Sequence, residues 1–97
     1  METKTKIAAM RQRLKCYPYV QIELEQMSSG NLRQLRLTQE ISELDELMDT
    51  RLSPREKYFI HIRYVEQARI KEIEKLTCYS GANVCKIITQ AITKMTD

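Results

Sequence analysis

Leu52-Ser53-Pro54-Arg55-Glu56 spells out a helix start in side-chain chemistry. Ser53 carries the oxygen of an N-cap, Pro54 takes the first helical position, where its missing N–H costs nothing, and Glu56 stands third to complete a capping box. The helix so opened turns Phe59 and Ile62 inward, with Val65 as a further candidate, and should end near Glu66 or Gln67. A short second helix follows from about Ile70, with Ile70, Ile73 and either Leu76 or Thr77 inward. Ser80 then reads as another N-cap, and Tyr79 and Val84 bracket it at the spacing of a hydrophobic staple. In the last helix Val84, Ile88, Ala91 and Met95 lie within about 40° of Val84 on a wheel of roughly 100° per residue, flanked by Ile87 and Ile92. The other side shows Ala82, Asn83, Lys86, Thr89, Gln90 and Thr93, which are small, basic or hydrogen-bonding, with no acid among them.

Upstream, punctuation recurs only at Ser28-Ser29-Gly30-Asn31, which divides the first half into two helical blocks. Ile7, Met10, Leu14, Tyr17, Val20, Leu24 and Met27 recur at steps of three and four and form one apolar stripe. Pro18 interrupts it, so either a kink near Tyr17 or two short helices meeting there is expected. Leu37, Ile41, Leu44 and Met48 form a second seam, with Leu47 beside it and acids opposite. Two such stripes joined by a short polar loop predict an antiparallel hairpin or a pair that dimerises. The expected organisation is therefore all-α, with a helical hairpin and self-association unit over 1–50 and a further helical domain over 52–97.

Composition narrows the function classes. Ninety-seven residues with two glycines, two prolines and no tryptophan make a core deep enough to wall a small-molecule pocket unexpected, so no enzyme is expected. No stretch reaches the roughly 18 apolar residues that span a bilayer, and the N-terminus lacks a signal-peptide pattern, which predicts a cytoplasmic protein without membrane contact. Cys16, Cys78 and Cys85 form no CxxC pair and read as reduced, ordinary residues. His61 is the only histidine, without acid or cysteine partners at ligand spacing, and the sequence holds no catalytic triad and no phosphate-cradling glycine loop. Catalytic residues, metal ligands and cofactors are all expected to be absent. The five tyrosines follow helix seams, so core or staple roles are expected of them, and Glu72 and Glu74 read as solubility residues.

The net charge of +3 conceals a strong division. Residues 1–15 hold five bases against Glu2, residues 23–49 hold seven acids against Arg33 and Arg36, and residues 51–97 hold nine bases against five acids. Such a basic half could meet an anionic partner, although on charge alone a solvated helix face is the favoured reading of such a run. A capped helix, a short helix, a tight turn opening on Ser and a final helix with a small, basic outer face also meet the shape demands of a helix-turn-helix. Periodicity alone leaves a plain three-helix bundle as an equal alternative.

The residues themselves carry a resemblance. Leu52-Ser53-Pro54-Arg55-Glu56, Ile62-Arg63-Tyr64, Lys71-Glu72-Ile73, Tyr79-Ser80, Val84, Ala91 and Met95 together resemble the fourth conserved region of bacterial sigma factors over about 45 residues without a gap. They are more similar still to the small sigma-like phage transcriptional regulators of the late-transcription-activator or autolysin-regulator type. Leu14-Lys15-Cys16-Tyr17-Pro18 also resembles the opening of such regulators. Four positions depart from the pattern: Glu74 replaces Ala, Cys78 and Gln67 replace Gly, and Arg69 replaces a Ser or Thr cap. Alanine would let the two helices approach closely, so Glu74 implies either an altered angle or Ile73 in the buried place with a longer turn.

The resemblance implies a double-stranded DNA-binding transcriptional regulator, with RNA polymerase as a further partner and a homo-oligomer, a dimer first, as its assembly. Gly81, Ala82, Asn83, Lys86 and Gln90 are the expected base contacts, because a groove-entering helix meets bases at its N-terminal end. Arg63, Arg69 and Lys71 are the expected phosphate contacts. Two other classes compete: a small terminase-like packaging subunit, which requires a multisubunit ring, and a helical adaptor of anti-sigma type, which requires a protein surface for the last helix.

Overall fold

The computed structural model describes residues 2–27 and 31–96, and the chain is all-α. Its helices are α1 (Glu2–Gln26), α2 (Leu32–Arg51), α3 (Pro54–Ile60), α4 (Ile70–Thr77) and α5 (Gly81–Thr96), and α3 runs on into a π-helical turn, His61–Val65. Ser28, Ser29 and Gly30 of the first punctuation lie outside the described residues.

α1 is one helix through Pro18, so the expected pair of short helices is not formed. A proline inside a helix costs about 3 kcal/mol. Continuity keeps Met10 and Leu14 in the core, each worth about 1.5–3 kcal/mol when fully buried, together with Tyr17 and a buried Pro18. α2 starts on Asn31, whose Oδ1 accepts from the Gln34 N–H at 2.7 Å, and returns along α1 as the expected hairpin. Arg13 donates to Glu40 at 2.6 Å and pairs with Glu43 at 3.1 Å, Arg33 pairs with Glu23 at 2.8 Å, and the Tyr17 hydroxyl donates to Asp45 at 2.5 Å. Burial first, and the Asp45 carboxylate second, hold the Tyr17 hydroxyl above its ordinary pKa, so it stays a donor. Of the α2 seam only Leu44 is fully buried, while Ile41, Leu47 and Met48 are half-covered. Towards the hairpin's far end Tyr19, Ile22, Leu32 and Leu35 are exposed.

A single core takes residues from both halves of the chain: Met10, Leu14, Tyr17 and Leu44 join Leu52, Phe59, Ile73 and the inner side of α5. The boundary read at residues 50–52 is thus a chain turn within one core. α3 and its π turn bury Phe59 and Ile62 as expected, and also Ile60 and Tyr64. The extra pair arises because α1 packs along the π turn while α5 covers α3, so this segment is covered on two sides. Of the two alternatives Thr77 is half-buried and Leu76 is 64% exposed. Tyr19 and Tyr58 are also exposed, against the core role expected of them, whereas Tyr17, Tyr64 and Tyr79 are covered wholly or in part.

The capping box forms as read: Ser53 Oγ accepts from the Glu56 N–H at 3.2 Å and Glu56 Oε1 from the Ser53 N–H at 2.9 Å. Glu56 does more than cap. It is 5% exposed, and Lys94 of α5 reaches its Oε2 at 2.9 Å, so a helix cap also ties α3 to α5. Burial alone would raise the Glu56 pKa, but the Ser53 N–H, the Lys94 ammonium and the Ser53 hydroxyl outweigh it and hold the group below its ordinary value of 4.5. A lowered folded pKa stabilises fully above the unfolded value, and the contribution is lost as pH falls through the folded one.

Ser53→Ala should cost about 1 kcal/mol. Glu56→Gln should destabilise the fold at pH 7 and lose that difference under acid, because protonated Glu56 and glutamine are both neutral. Thermal melts of wild type and Glu56→Gln between pH 7 and pH 3 should converge at the acid end, and curves parallel throughout would contradict a charged role for Glu56.

Candidate nucleic-acid interface

α5 is amphipathic by construction. Val84, Ile87, Ile88, Ala91, Ile92 and Met95 are all buried on one side, as the spacing predicts. Ser80 Oγ accepts from the Asn83 N–H at 3.3 Å, so the expected N-cap is made. With the inner side taken up by core, Ala82, Asn83, Lys86 and Gln90 are exposed along the outer side, and Thr89 with them. Lys86 makes no ion pair among the described residues, so its charge is available to a partner.

Gly81, the fifth expected base contact, lies at the edge of this face under the Glu74 carboxylate. A Cβ on Gly81 would strike Glu74 Oε1, with Ile70 Cγ2 close behind at 3.5 Å. Glu74 is therefore accommodated by the absence of a side chain at residue 81. Ile73 is fully buried and takes the inward place, one of the two arrangements foreseen for a chain without alanine at residue 74. Glu72 has a task as well: its Oε1 accepts from the Arg69 N–H at 3.1 Å. An arginine side chain cannot accept, so the missing Ser or Thr cap of α4 is replaced from three residues downstream. The solubility role read for Glu72 is corrected, and Glu74 is half-buried beside Gly81.

The three expected phosphate residues divide. Arg69 and Lys71 are exposed at the start of α4 and free of ion pairs among the described residues. Arg63 is half-buried and oriented, since its Nη1 donates to the Ala68 carbonyl at 3.0 Å and its guanidinium carbon lies 6.0 Å from the centre of the Tyr64 ring.

Two turns place these groups. α4 ends at Thr77, and Cys78 adopts a left-handed conformation (φ 60°, ψ 19°) whose N–H donates to the Glu74 carbonyl at 2.9 Å. Gln67, between the π turn and α4, is also left-handed, at φ 59°. Among the described residues these are the two non-glycine positions with positive φ, and at both the resembled pattern carries glycine. Tyr79 closes the turn by packing its ring 5.5 Å from that of Phe59 and accepting from Arg55 at 3.4 Å.

Among the described residues no cluster of histidine, cysteine or acid is arranged to hold a metal ion, and no helix is long and apolar enough to cross a membrane. The three cysteines are free and exposed, and His61 is exposed. No family model, no curated relative and no solved structure matches the chain.

The left-handed turn has a measurable cost. A side chain in this conformation is disfavoured by about 1 kcal/mol, which glycine avoids at some expense in unfolded-state entropy. Cys78→Gly should therefore raise the melting temperature by a few degrees, on the order of 0.5 kcal/mol. Cys78→Val should lower it, and the opposite order would remove the strain assigned to this turn.

Proposed function

We propose that the protein is a sequence-specific double-stranded DNA-binding transcriptional regulator of the sigma-like phage type, reading the major groove with α5. One observation carries the reading: the exposed side of α5 offers Ala82, Asn83, Lys86, Thr89 and Gln90, without a carboxylate, on a helix whose other side is wholly buried. Short residues at the entering end let a helix approach base edges in a groove about 12 Å wide, and amide and ammonium groups can then hydrogen-bond them. A three-residue turn, Cys78–Ser80, joins α4 to this helix, as a helix-turn-helix requires. Left-handed backbone where the sigma-like pattern has glycine supports the same reading. Arg69 and Lys71 at the head of α4 serve phosphates, with Arg63 beside them. RNA polymerase is a further partner on the strength of the resemblance.

The proposed assembly is a homodimer. The reading of the hairpin's far end as the dimer surface is supported by the exposure of Tyr19, Ile22, Leu32 and Leu35 there, while α1's stripe up to Pro18 is occupied by the chain's own core. Replacing Leu32 and Leu35 with Ser should shift the sedimenting mass from two chains to one. An unchanged mass removes this end of the hairpin from the interface.

Base and phosphate contacts respond differently to mutation. Asn83 can pair bidentately with adenine and Lys86 with guanine, each worth about 1–3 kcal/mol of discrimination. Asn83→Ala and Lys86→Ala should relax preference at particular base positions. Arg69→Ala and Lys71→Ala should weaken all duplexes alike and lower the salt slope by about one each. Isotherms on a preferred and a scrambled duplex across a salt series check both. Intact affinity and preference in folded Asn83→Ala and Lys86→Ala would mean that α5 is not the reader.

A further inference from the structure

We infer that α1, through Arg11 and Lys15, forms a second phosphate-binding ridge that grips the duplex backbone alongside α5. The inference rests on the DNA-binding reading above and extends it to an element outside the sigma-like segment.

The bases of α1 face two ways. Arg13 points to α2 and is neutralised by Glu40 and Glu43. Arg11 and Lys15 make no ion pair among the described residues. With Lys4 they fall within about 40° on a wheel of roughly 100° per residue, so α1 carries one basic ridge distinct from its apolar stripe.

The ridge stands beside the reading face. Arg11 and Lys15 line a groove of about 300 Å³ whose other walls are Arg63, Tyr64, Ile70, Cys85 and Thr89. Cys85 and Thr89 are exposed residues of α5, so this groove opens directly onto its outer side. An adjoining groove of about 330 Å³ shares Lys15, Arg63 and Tyr64 and continues to Tyr19 and Gln67. Three cations and no carboxylate line the two grooves. Arg63 is held in place by the Ala68 carbonyl and by its position over Tyr64, which fixes one wall.

The other flank of α5 is different. There Lys94 pairs with Glu56 at 2.9 Å. The carboxylate-free, three-cation lining gives the occupant. A helix seated in a groove is bordered by phosphates, and the strand that runs on the α1 side would meet Arg11, Lys15 and Arg63, while on the opposite flank Arg51 donates to the Lys94 carbonyl at 3.3 Å and Arg55 to the Tyr79 hydroxyl at 3.4 Å. A polyanion with regularly spaced charges fits such a row, whereas a single small anion would engage one end of it.

The test uses the full-length chain and a mixed-sequence duplex of about 30 base pairs, titrated from about 50 to about 200 mM salt. Arg11→Ala with Lys15→Ala should lower the slope of log affinity against log salt by about 1.8, so that wild type loses roughly tenfold more affinity across this range than the variant. Relative preference among duplex sequences should not move, and neither should the melting temperature. The control removes two positive charges elsewhere, Arg33→Ala with Arg36→Ala on α2, and should leave the slope where it was. An unchanged slope in the α1 variant overturns the ridge and leaves DNA reading by α5 standing. An equal fall in the control shows a net-charge effect and overturns it too. A wild-type protein that binds no duplex at low salt overturns both.

Discussion

Each of the other four helices packs on α5, and that burial is the constraint on which the rest of the molecule depends. Six of its sixteen residues are withdrawn from water on one side. At about 25 cal/mol per Å² of apolar surface, such side chains dominate the energetics of a chain this small. Because the inner side of α5 is saturated, its outer side is left to solvent or to a partner. One ion pair then ties the helix near its C-terminal end, where Glu56 holds Lys94, and at its N-terminal end Gly81 lies under the Glu74 carboxylate.

Much of this was legible in the chain. The Ser53 and Glu56 box, the Ser80 cap and the one-sided apolar pattern of α5 are local features, and each formed as read. What escaped was tertiary. Ile60 and Tyr64 are buried because α1 lies along the π turn, and no spacing rule within residues 53–66 contains that fact. Pro18 looked like a break, but a helix can run through proline when the residues before it are anchored in a core. Glu72 and Glu74 looked like surface charges because their partners, a backbone N–H and a missing side chain, have no signature of their own.

The candidate site divides in the same way. The outer residues of α5 follow from the wheel, and Arg69 and Lys71 follow from their place at a helix start. Arg11 and Lys15 could not be placed from sequence, because α1 reads as one strongly basic segment until folding separates Arg13, turned to the acids of α2, from the bases that border α5. The departures at Gln67 and Cys78 acquired meaning only when their positive φ values were known. Side chains there hold a left-handed backbone that glycine adopts at lower cost.

An account in which α5 reads duplex DNA and flanking bases hold its backbone makes one demand above all others, that the protein prefer some sequences to others. Selection from a pool of random duplexes by the purified full-length chain at low salt, followed by sequencing of the retained fraction, measures this directly. The account predicts enrichment of a short motif, bound with an affinity that falls steeply as salt rises. Retention of no motif under conditions in which the protein is folded would contradict it.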